Sequence, residues 1–263
     1  MNYQTILVDV KDRVATVTIN RPEVSNAFAR ESYGEIADAM ATLGARNDVG
    51  AIVITGAGKH FSAGGDIKRF KMLIDSGTYL DPNQIQSVSI MPAAIRDCPK
   101  PVIAMINGVA TGAGLSCALA CDFRVVAPSS KMTMAFVNLG LSGDTGSIYN
   151  LIRLVGPDKA KLLMMTGEAC RGEECVKMGL ATVLAEEGKL AETTYALAAK
   201  LASKSGDAHS AQKRVINRFF YDRMADYFAT EALEIAWCGR QPDFTEAVNA
   251  FLERRTPEYN KKP

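Results

Sequence analysis

An α/β fold with a largely parallel sheet is predicted by two features of the sequence. In the first half of the chain, short apolar runs at residues 51–55, 101–106 and 123–127 alternate with segments of helical periodicity. After Asp144, nearly every periodic segment is helical. Because alternating strands and helices form right-handed βαβ units, we expect an α/β part followed by a helical C-terminal part.

The first elements are predicted to be a β-hairpin, a helix and a buried strand. Apolar residues alternate over residues 3–10 and again over residues 14–19, with a charged turn at residues 11–13. Residues 31–43 carry an apolar stripe at helical spacing. Residues 51–55 are apolar without interruption, which indicates a strand that is covered on both faces.

The remaining elements follow from the same patterns. Before residue 144 we expect a helix ending at residues 92–97, strands at 101–106 and 123–127, and a helix of small residues at 112–120. Beyond it we expect one strand at residues 181–184 and helices at residues 147–154, 159–165, 173–178, 190–201, 209–221 and 245–254.

The composition favours a soluble protein with a large core. The chain has 263 residues, of which 48% are hydrophobic, and its formal net charge is only +1. Neither a nucleic acid nor an anionic membrane surface is therefore an expected partner. The first ten residues do not resemble a signal peptide, and no apolar run reaches the roughly 20 residues that span a bilayer. We expect a cytoplasmic protein.

The histidines and cysteines indicate no metal centre and no serine-hydrolase chemistry. The six cysteines form no Cys-x-x-Cys pair, so they are expected to be reduced thiols in the core. The only histidines are His60 and His209, and no Gly-x-Ser-x-Gly motif is present. Both histidines are expected to have surface or structural roles.

Two glycine-rich turns are the strongest candidates for chemistry. They lie at residues 61–67 (FSAGGDI) and 107–116 (NGVATGAGLS), each between a predicted strand and a predicted helix. Two adjacent helix N-termini could direct two N–H groups at one oxygen and so form an oxyanion hole. Glycine is also common in such turns for steric reasons alone, and both interpretations stay open. The dinucleotide and phosphate-loop glycine patterns are incomplete or absent.

An ordered series of short motifs resembles the crotonase (enoyl-CoA hydratase/isomerase) superfamily. Each motif is weak by itself, but their order and spacing agree from about residue 5 to about residue 257. The motifs are residues 21–27 (RPEVSNA), 60–67 (HFSAGGDI), 100–108 (KPVIAMING), 121–122 (CD), 138–141 (NLGL), 166–168 (TGE) and 178–180 (MGL).

This resemblance implies a crotonase-like ββα superhelix, or spiral, with a helical C-terminal trimerisation part. It implies a core over residues 1–195, an oligomerisation part over residues 196–263, and homotrimers or hexamers. Coenzyme A would enter as part of an acyl-CoA thioester substrate, with no permanently bound cofactor. The implied oxyanion-hole amides are those of Gly65 and Ala113. The implied coenzyme A contacts are Val24, Ser25, Ala27, Ala63, Gly65, Asp66 and Ile67, with Phe251 and Arg254 reaching a neighbouring subunit.

The resemblance also singles out one acid. The two glutamates of family hydratases fall on Ser116 and Phe136, neither of which is a carboxylate. Asp144 matches an acidic position of Δ3,Δ2-enoyl-CoA isomerases, of ring-opening isomerases of phenylacetate breakdown and of 4-chlorobenzoyl-CoA dehalogenase. The dehalogenase's histidine and tryptophan fall on Ser89 and Phe136, which disfavours dehalogenation. By spacing alone, Asp144 could equally be the N-cap of the following helix.

The predicted function is an acyl-CoA isomerase that shifts a double bond of the 3-enoyl-CoA to 2-enoyl-CoA type through an enolate. The alternatives are an enoyl-CoA hydratase or another CoA-thioester lyase or hydrolase of the superfamily. A non-catalytic acyl-CoA-binding paralogue is a second alternative. A nicotinamide dehydrogenase would require a fuller glycine fingerprint.

Overall fold

The chain begins with the predicted β-hairpin. The computed structural model describes residues 3–260, which include nine strands and twelve α-helices. The strands are β1 (Ile6–Lys11), β2 (Val14–Ile19), β3 (Ala51–Gly56), β4 (Val102–Ile106), β5 (Val109–Thr111), β6 (Phe123–Val126), β7 (Lys131–Thr133), β8 (Ala169–Arg171) and β9 (Val183–Leu184). Lys11 pairs with Val14, and the two residues between them have positive φ, as a two-residue hairpin turn requires.

The main sheet has the order β1-β2-β3-β4-β6-β9. All its neighbouring pairs from β2 to β9 are parallel, and only β1 is antiparallel to its neighbour. This confirms the predicted parallel sheet and its strands, although the first strand begins at Ile6 and the last at Val183. The strand order follows the chain without doubling back, as a spiral of successive turns requires.

A second sheet, with the order β5-β7-β8, was not predicted. Its strands have three residues each, which is too short to show alternation. Because β8 lies at Ala169–Arg171, the expectation of a single strand after residue 144 is wrong. The short β5 lies inside the second glycine-rich turn, so that turn contains a pairing segment.

The helices confirm the predicted order and add two that were not predicted, α3 and α11. The helices are α1 (Arg30–Ala45), α2 (Ile67–Asp75), α3 (Pro82–Val88), α4 (Ile90–Asp97), α5 (Ala113–Ala120), α6 (Ser147–Val155), α7 (Pro157–Thr166), α8 (Gly172–Met178), α9 (Leu190–Ala202), α10 (Gly206–Phe220), α11 (Met224–Cys238) and α12 (Pro242–Glu253). None of them has the length and hydropathy of a membrane span over residues 3–260.

The main sheet is buried on both faces, as the uninterrupted apolar run of β3 predicted. Ile52 and Ile54 belong to the large core that includes residues of α1, α4 and α5. Ala51 and Val53 face the other way, into a smaller core with Ala198 of α9. All six cysteines are free thiols, and five of them are buried, which agrees with their prediction as core residues.

The C-terminal helices pack back onto the α/β part. The Phe244 ring of α12 lies 5.5 Å from the Phe70 ring of α2 in an edge-to-face arrangement. The predicted boundary between residues 195 and 196 lies inside α9, and the two-part division stays a prediction. The last residues of the predicted oligomerisation part, 261–263, lie outside the described residues, as do residues 1–2 of the predicted core.

Candidate active site

The two glycine-rich turns pair with each other directly. Ser62 forms a parallel bridge with Ala110, in which the Ser62 amide donates to the Val109 carbonyl at 3.0 Å. The Thr111 amide returns a bond to the Ser62 carbonyl at 3.1 Å. Segments about 50 residues apart in sequence therefore lie side by side, as an oxyanion hole made by both turns would require.

Glycine at two positions permits this close approach. Gly64 has φ +86°, and a methyl group there would lie 2.6 Å from the Thr111 carbonyl oxygen and 3.2 Å from the Ala113 nitrogen. A methyl group on Gly114 would lie 2.6 Å from Cβ of Ser62. These distances are shorter than a Cβ atom normally makes, so any larger residue at either glycine would push the turns apart.

The amides of Gly65 and Ala113 lie at this junction. Ala113 is the first residue of α5, where backbone N–H groups lack an intrahelical acceptor. Among the hydrogen bonds of residues 3–260, neither the Gly65 nor the Ala113 N–H donates to an acceptor. Aromatic rings lie near this junction: Phe70 lies 3.2 Å from a methyl group placed on Gly65, and Phe136 lies 4.0 Å from one placed on Gly112, the residue before Ala113.

The segment of residues 24–27 is fixed against the first turn. Ser25 and Asn26 both have positive φ. The Ser25 carbonyl accepts from the Ala63 amide at 3.0 Å, and the buried Asn26 side chain donates to the His60 carbonyl at 2.6 Å. The structure thus brings together Val24, Ser25, Ala27, Ala63 and Gly65, the first five residues that the resemblance implied as coenzyme A contacts. Their proposed role in binding is not tested by this geometry.

Asp66 and Ile67 continue the same surface into α2. Asp66 is the N-cap of α2, and its side chain accepts from the Lys68 amide at 3.1 Å. Arg21 lies 3.6 Å from the Asp66 carboxylate. Ile67 is half-buried against the core. Asp66 therefore has a structural role as the cap of α2, and its contact with coenzyme A stays a prediction.

Asp144 is a buried acid beside α5, and it is not a helix cap. The N-cap of α6 is Gly146, which leaves the cap interpretation of Asp144 wrong. Burial raises the pKa of the Asp144 carboxyl to about 6, and the hydroxyl of Thr145, which donates to it at 3.0 Å, lowers the pKa in part. A carboxyl in this range can both accept and return a proton near neutral pH.

Ser116 connects the Asp144 loop to the helix of the amides. Its buried hydroxyl is 3.2 Å from the backbone carbonyl of Asp144 and 3.2 Å from that of Gly112. Ser116 stands where the resemblance places a hydratase glutamate, and here it has a structural contact. The acid and the Ala113 amide are consequently held within about one turn of the same helix.

Two residues near Asp144 were missed by sequence reasoning. Tyr33 of α1 is buried, and the pKa of its phenol is raised by burial first and by the charge of Asp144 second. Glu231 of α11 is buried as well, and burial raises its pKa to about 7, to which the charge of Asp144 contributes. The helical spacing of Phe228, Ala232 and Ile235, all buried, could have revealed α11 but not the contacts of Glu231.

Phe251 and Arg254 are placed apart from this cluster. Both lie at the exposed end of α12, with the Phe251 side chain 61% exposed and Arg254 in the left-handed conformation at φ 56°. Over the described chain, no hydrogen bond or ion pair joins either residue to Asp144 or to the amide turns. Their implied contact with a neighbouring subunit stays a prediction.

Comparison with known proteins agrees with this architecture. The sequence model of the enoyl-CoA hydratase/isomerase family matches residues 9–262. The chain is 31% identical to the trans-2-decenoyl-[acyl-carrier-protein] isomerase of Streptococcus mutans, over the full length of both. It is 32% identical to the 1,2-epoxyphenylacetyl-CoA isomerase of Escherichia coli, over 98% of each.

A solved structure has a similar fold. An enoyl-CoA hydratase from Mycobacterium avium subsp. paratuberculosis K-10 superposes with a TM-score of 0.87 at 28% identity, over 99% of this chain and 100% of that chain. The predicted crotonase-like fold is thereby confirmed. The chain belongs to the enoyl-CoA hydratase/isomerase family, the crotonase superfamily that its motifs resemble, and is an enzyme of that family.

Proposed function

We propose that this enzyme is an acyl-CoA isomerase with Asp144 as its only base. It would move a double bond of the acyl chain from the C3–C4 position to the C2–C3 position. The observation that carries the proposal is a buried carboxyl with a pKa of about 6, held by Ser116 against the helix that begins at Ala113. Relatives named as isomerases, which share 31% and 32% identity with this chain, support the reaction type.

The amides of Gly65 and Ala113 would bind the thioester oxygen. Both N–H groups are without acceptors among residues 3–260, so they can donate to a ligand without breaking an existing bond. Donors fixed before the reaction stabilise the negative charge that develops on this oxygen when an α-proton is removed. The packed rings of Phe70 and Phe136 lower the local polarity and strengthen that interaction.

The proposed proton path uses one carboxyl. The Asp144 carboxylate takes a proton from C2 of the 3-enoyl thioester, and the electrons of the broken C–H bond pass into a dienolate. The protonated Asp144 then returns the proton to C4, the bond between C2 and C3 becomes double, and the carboxylate is restored. One proton moves and no electron is gained or lost, so this reaction requires neither nicotinamide nor flavin.

Isomerisation is favoured over hydration by the residues around the acid. Water addition by the family route uses two carboxylates, and here those positions hold Ser116 and Phe136. Ser116 is committed to backbone carbonyls, and Phe136 is buried. With no carboxylate at either of these two positions and an apolar ring at one of them, the site disfavours the ordered water that hydration needs. Hydratase activity is the second candidate because a named hydratase shares the fold.

Coenzyme A is proposed to enter as part of the substrate, between residues 24–27 and the start of α2. We also propose that the protein forms trimers or hexamers in which Phe251 and Arg254 complete the coenzyme A site of a neighbouring subunit. The apolar side chains Val215, Ile216, Phe219 and Phe220, exposed along α10, support the existence of such an interface.

The test is the substitution Asp144→Asn, assayed by chromatographic separation of 3-enoyl-CoA and 2-enoyl-CoA of several chain lengths. We expect kcat to fall by ~10²–10⁴-fold because the proton acceptor is removed. Asp158→Asn is the matched control, since that side chain is 98% exposed and lies on α7 away from the site. Unchanged turnover in Asp144→Asn would exclude Asp144 as the base.

A second assay separates the two candidate reactions. The unaltered enzyme is incubated with crotonyl-CoA, and 3-hydroxybutyryl-CoA is measured by mass spectrometry. We expect hydration to be much slower than isomerisation. A hydration rate equal to or above the isomerisation rate would establish the hydratase alternative.

A further inference from the structure

Glu231 is the second buried acid of the molecule and lies beside the first. Within residues 3–260, Asp144 and Glu231 are the only Asp or Glu side chains in the buried class. They come from positions 87 residues apart in sequence, on the loop before α6 and on α11. Burial of a carboxyl is unfavourable unless it is hydrogen-bonded, so the bonds of Glu231 indicate its role.

The carboxylate of Glu231 binds the backbone next to Asp144. Its Oε2 atom accepts from the Gly146 amide at 2.8 Å. Its Oε1 atom accepts from the Tyr227 hydroxyl at 2.7 Å, and the Ser147 hydroxyl lies 3.5 Å away. Two of these three donors belong to the segment that follows Asp144 and opens α6, so Glu231 ties α11 to the acidic loop.

The acidic loop has an unfavourable backbone that needs such contacts. Gly143, Thr145 and Gly146 all have positive φ, at 136°, 53° and 75°. Positive φ is rare for a β-branched residue such as Thr145 and persists only when surrounding contacts enforce it. Ser116 holds the loop from the α5 side through the Asp144 carbonyl, and Glu231 holds it from the α11 side.

We propose that Glu231 is a positioning residue that keeps the Asp144 loop in its strained conformation and so keeps the Asp144 side chain buried. This inference rests on the proposed function only in that Asp144 is taken as the base. Glu231 is not assigned contact with the substrate. Its carboxylate is occupied by Gly146 and Tyr227, which suits a positioning role better than proton transfer to an acyl chain.

The charges around the pair agree with this role. Burial is the main reason that the pKa values of Asp144 and Glu231 are raised to about 6 and about 7, and the charge of Asp144 contributes to the latter. Because the pKa of Asp144 is the lower of the two, Asp144 ionises while Glu231 is still mostly protonated. A neutral Gln at residue 231 should therefore leave the pKa of Asp144 near 6, whereas a loop that moves should expose Asp144 to water and lower its pKa.

The other titratable groups facing the pair stay neutral in the same pH range. Tyr33 of α1 and Tyr227 of α11 have phenol pKa values raised further by burial and by the two carboxylates. Cys117 of α5 has a thiol pKa well above its usual value. Arg69 of α2 is a cation whose charge lowers the pKa of Tyr33 in part. Between about pH 5 and 9, Asp144 and Glu231 are thus the groups of this set whose charge changes.

Two substitutions of Glu231 test the proposal. Glu231→Gln keeps an amide oxygen that can accept from Gly146 but carries no charge. Glu231→Leu has a similar volume and removes both the acceptor and the charge. Glu234→Gln on the exposed side of α11 is the matched control, since Glu234 lies one turn of helix from the site.

The first measurement is a titration of Asp144 that needs no turnover. The carboxyl carbons of aspartate are labelled with ¹³C, and the Asp144 signal is assigned by its loss in Asp144→Asn. We expect its midpoint to move down by ~0.5–1 pH unit in Glu231→Leu, because the released loop lets water reach the carboxyl, and to stay unchanged in Glu231→Gln and Glu234→Gln. An unchanged midpoint in Glu231→Leu would overturn the positioning role, whether or not the enzyme is an isomerase.

The second measurement is steady-state turnover of the acyl-CoA substrate. We expect Glu231→Leu to lower kcat by ~10²-fold with little change in KM, because small displacements of a reacting group have effects of that size. Glu231→Gln should restore kcat to within about threefold of the unaltered enzyme. Wild-type kcat in a folded Glu231→Leu protein, or equal loss in both variants, would overturn the positioning role. If the Leu variant fails to fold, Glu231→Asp takes its place, because its shorter side chain cannot reach the Gly146 amide without displacing the loop. Wild-type kcat in Glu231→Asp would then overturn the proposal.

Failure of the proposed function is visible separately. If Asp144→Asn keeps full turnover while the Asp144 midpoint still shifts in Glu231→Leu, Asp144 is not the base but the positioning of its loop by Glu231 stands. If Asp144→Asn is inactive and the midpoint does not shift in Glu231→Leu, the proposed function stands and the positioning role of Glu231 is overturned.

Discussion

The amide turns at Gly65 and Ala113 and the acidic loop at Asp144 lie against the same helix, α5, but different contacts hold them. The turns are fixed by backbone hydrogen bonds to each other and by glycines at their contact. The acidic loop is fixed by side chains, Ser116 from α5 and Glu231 from α11. Donors made by the backbone depend on local glycine spacing, whereas the reactivity of the acid depends on segments that cover it from far away in sequence.

The sharpest way to break this comparison is to separate the turns. In Gly64→Ala, the added methyl group would lie 2.6 Å from the Thr111 carbonyl oxygen at a φ of +86°. We expect kcat to fall by ~10²–10³-fold, the loss typical of a missing oxyanion-hole donor. Gly77→Ala is the control, because Gly77 also has positive φ but nothing lies within 4 Å of an added methyl group. Equal activity in the two variants would show that the turns tolerate separation.

The stability of the acidic loop should depend on pH through Asp144. The carboxyl pKa rises from 3.8 to about 6 on folding, so its contribution to stability is present below 3.8 and is lost as the pH rises through about 6. Asn does not titrate. The unfolding free energy of Asp144→Asn, relative to that of the unaltered protein, should therefore increase by about 3 kcal/mol between pH 3.5 and pH 8. Urea unfolding at several pH values measures it, and a constant difference would contradict the burial of a charge there.

How well the sequence predicted the site follows the same division. Residues 61–67 and 107–116 identified both amide turns because glycine next to a helix start is a local signal. The motif order also identified Asp144. Glu231 could not be recognised, because nothing near residue 231 indicates that its carboxylate accepts from Gly146, 85 residues earlier. The second sheet was missed for a related reason, since three-residue strands are defined by their partners.

The activity should also depend on pH, and the expected change for each pH unit is smaller than the effect of separating the turns. If Asp144 acts as the base, it must be ionised, so kcat/KM should be half-maximal near pH 6, the pKa of its carboxyl. Below that value, activity should fall about tenfold for each pH unit. A profile of kcat/KM against pH tests this, with the stability of the enzyme checked at each pH. A limb near pH 4 instead would indicate a base that is exposed to water and would remove the link between burial and reactivity.

The smallest expected effect lies at the exposed end of α12, which is held neither by the backbone bonds of the amide turns nor by the side chains that fix the acidic loop. Arg254 is in the left-handed conformation at φ 56°, which glycine adopts readily, so Arg254→Gly removes the cation without straining the chain. Exposed charges at the rim of a binding site contribute little, and we expect KM for acyl-CoA to rise about two- to fivefold with kcat unchanged. Arg223→Gly, at an exposed arginine whose ion pair with Asp226 is local, is the control.

If Arg254 contacts coenzyme A across a subunit boundary, the rise in KM should shrink for pantetheine thioesters, which lack the phosphates that an arginine would bind. A rise of equal size for both substrates would place the effect of Arg254 on the acyl or pantetheine part that the two substrates share.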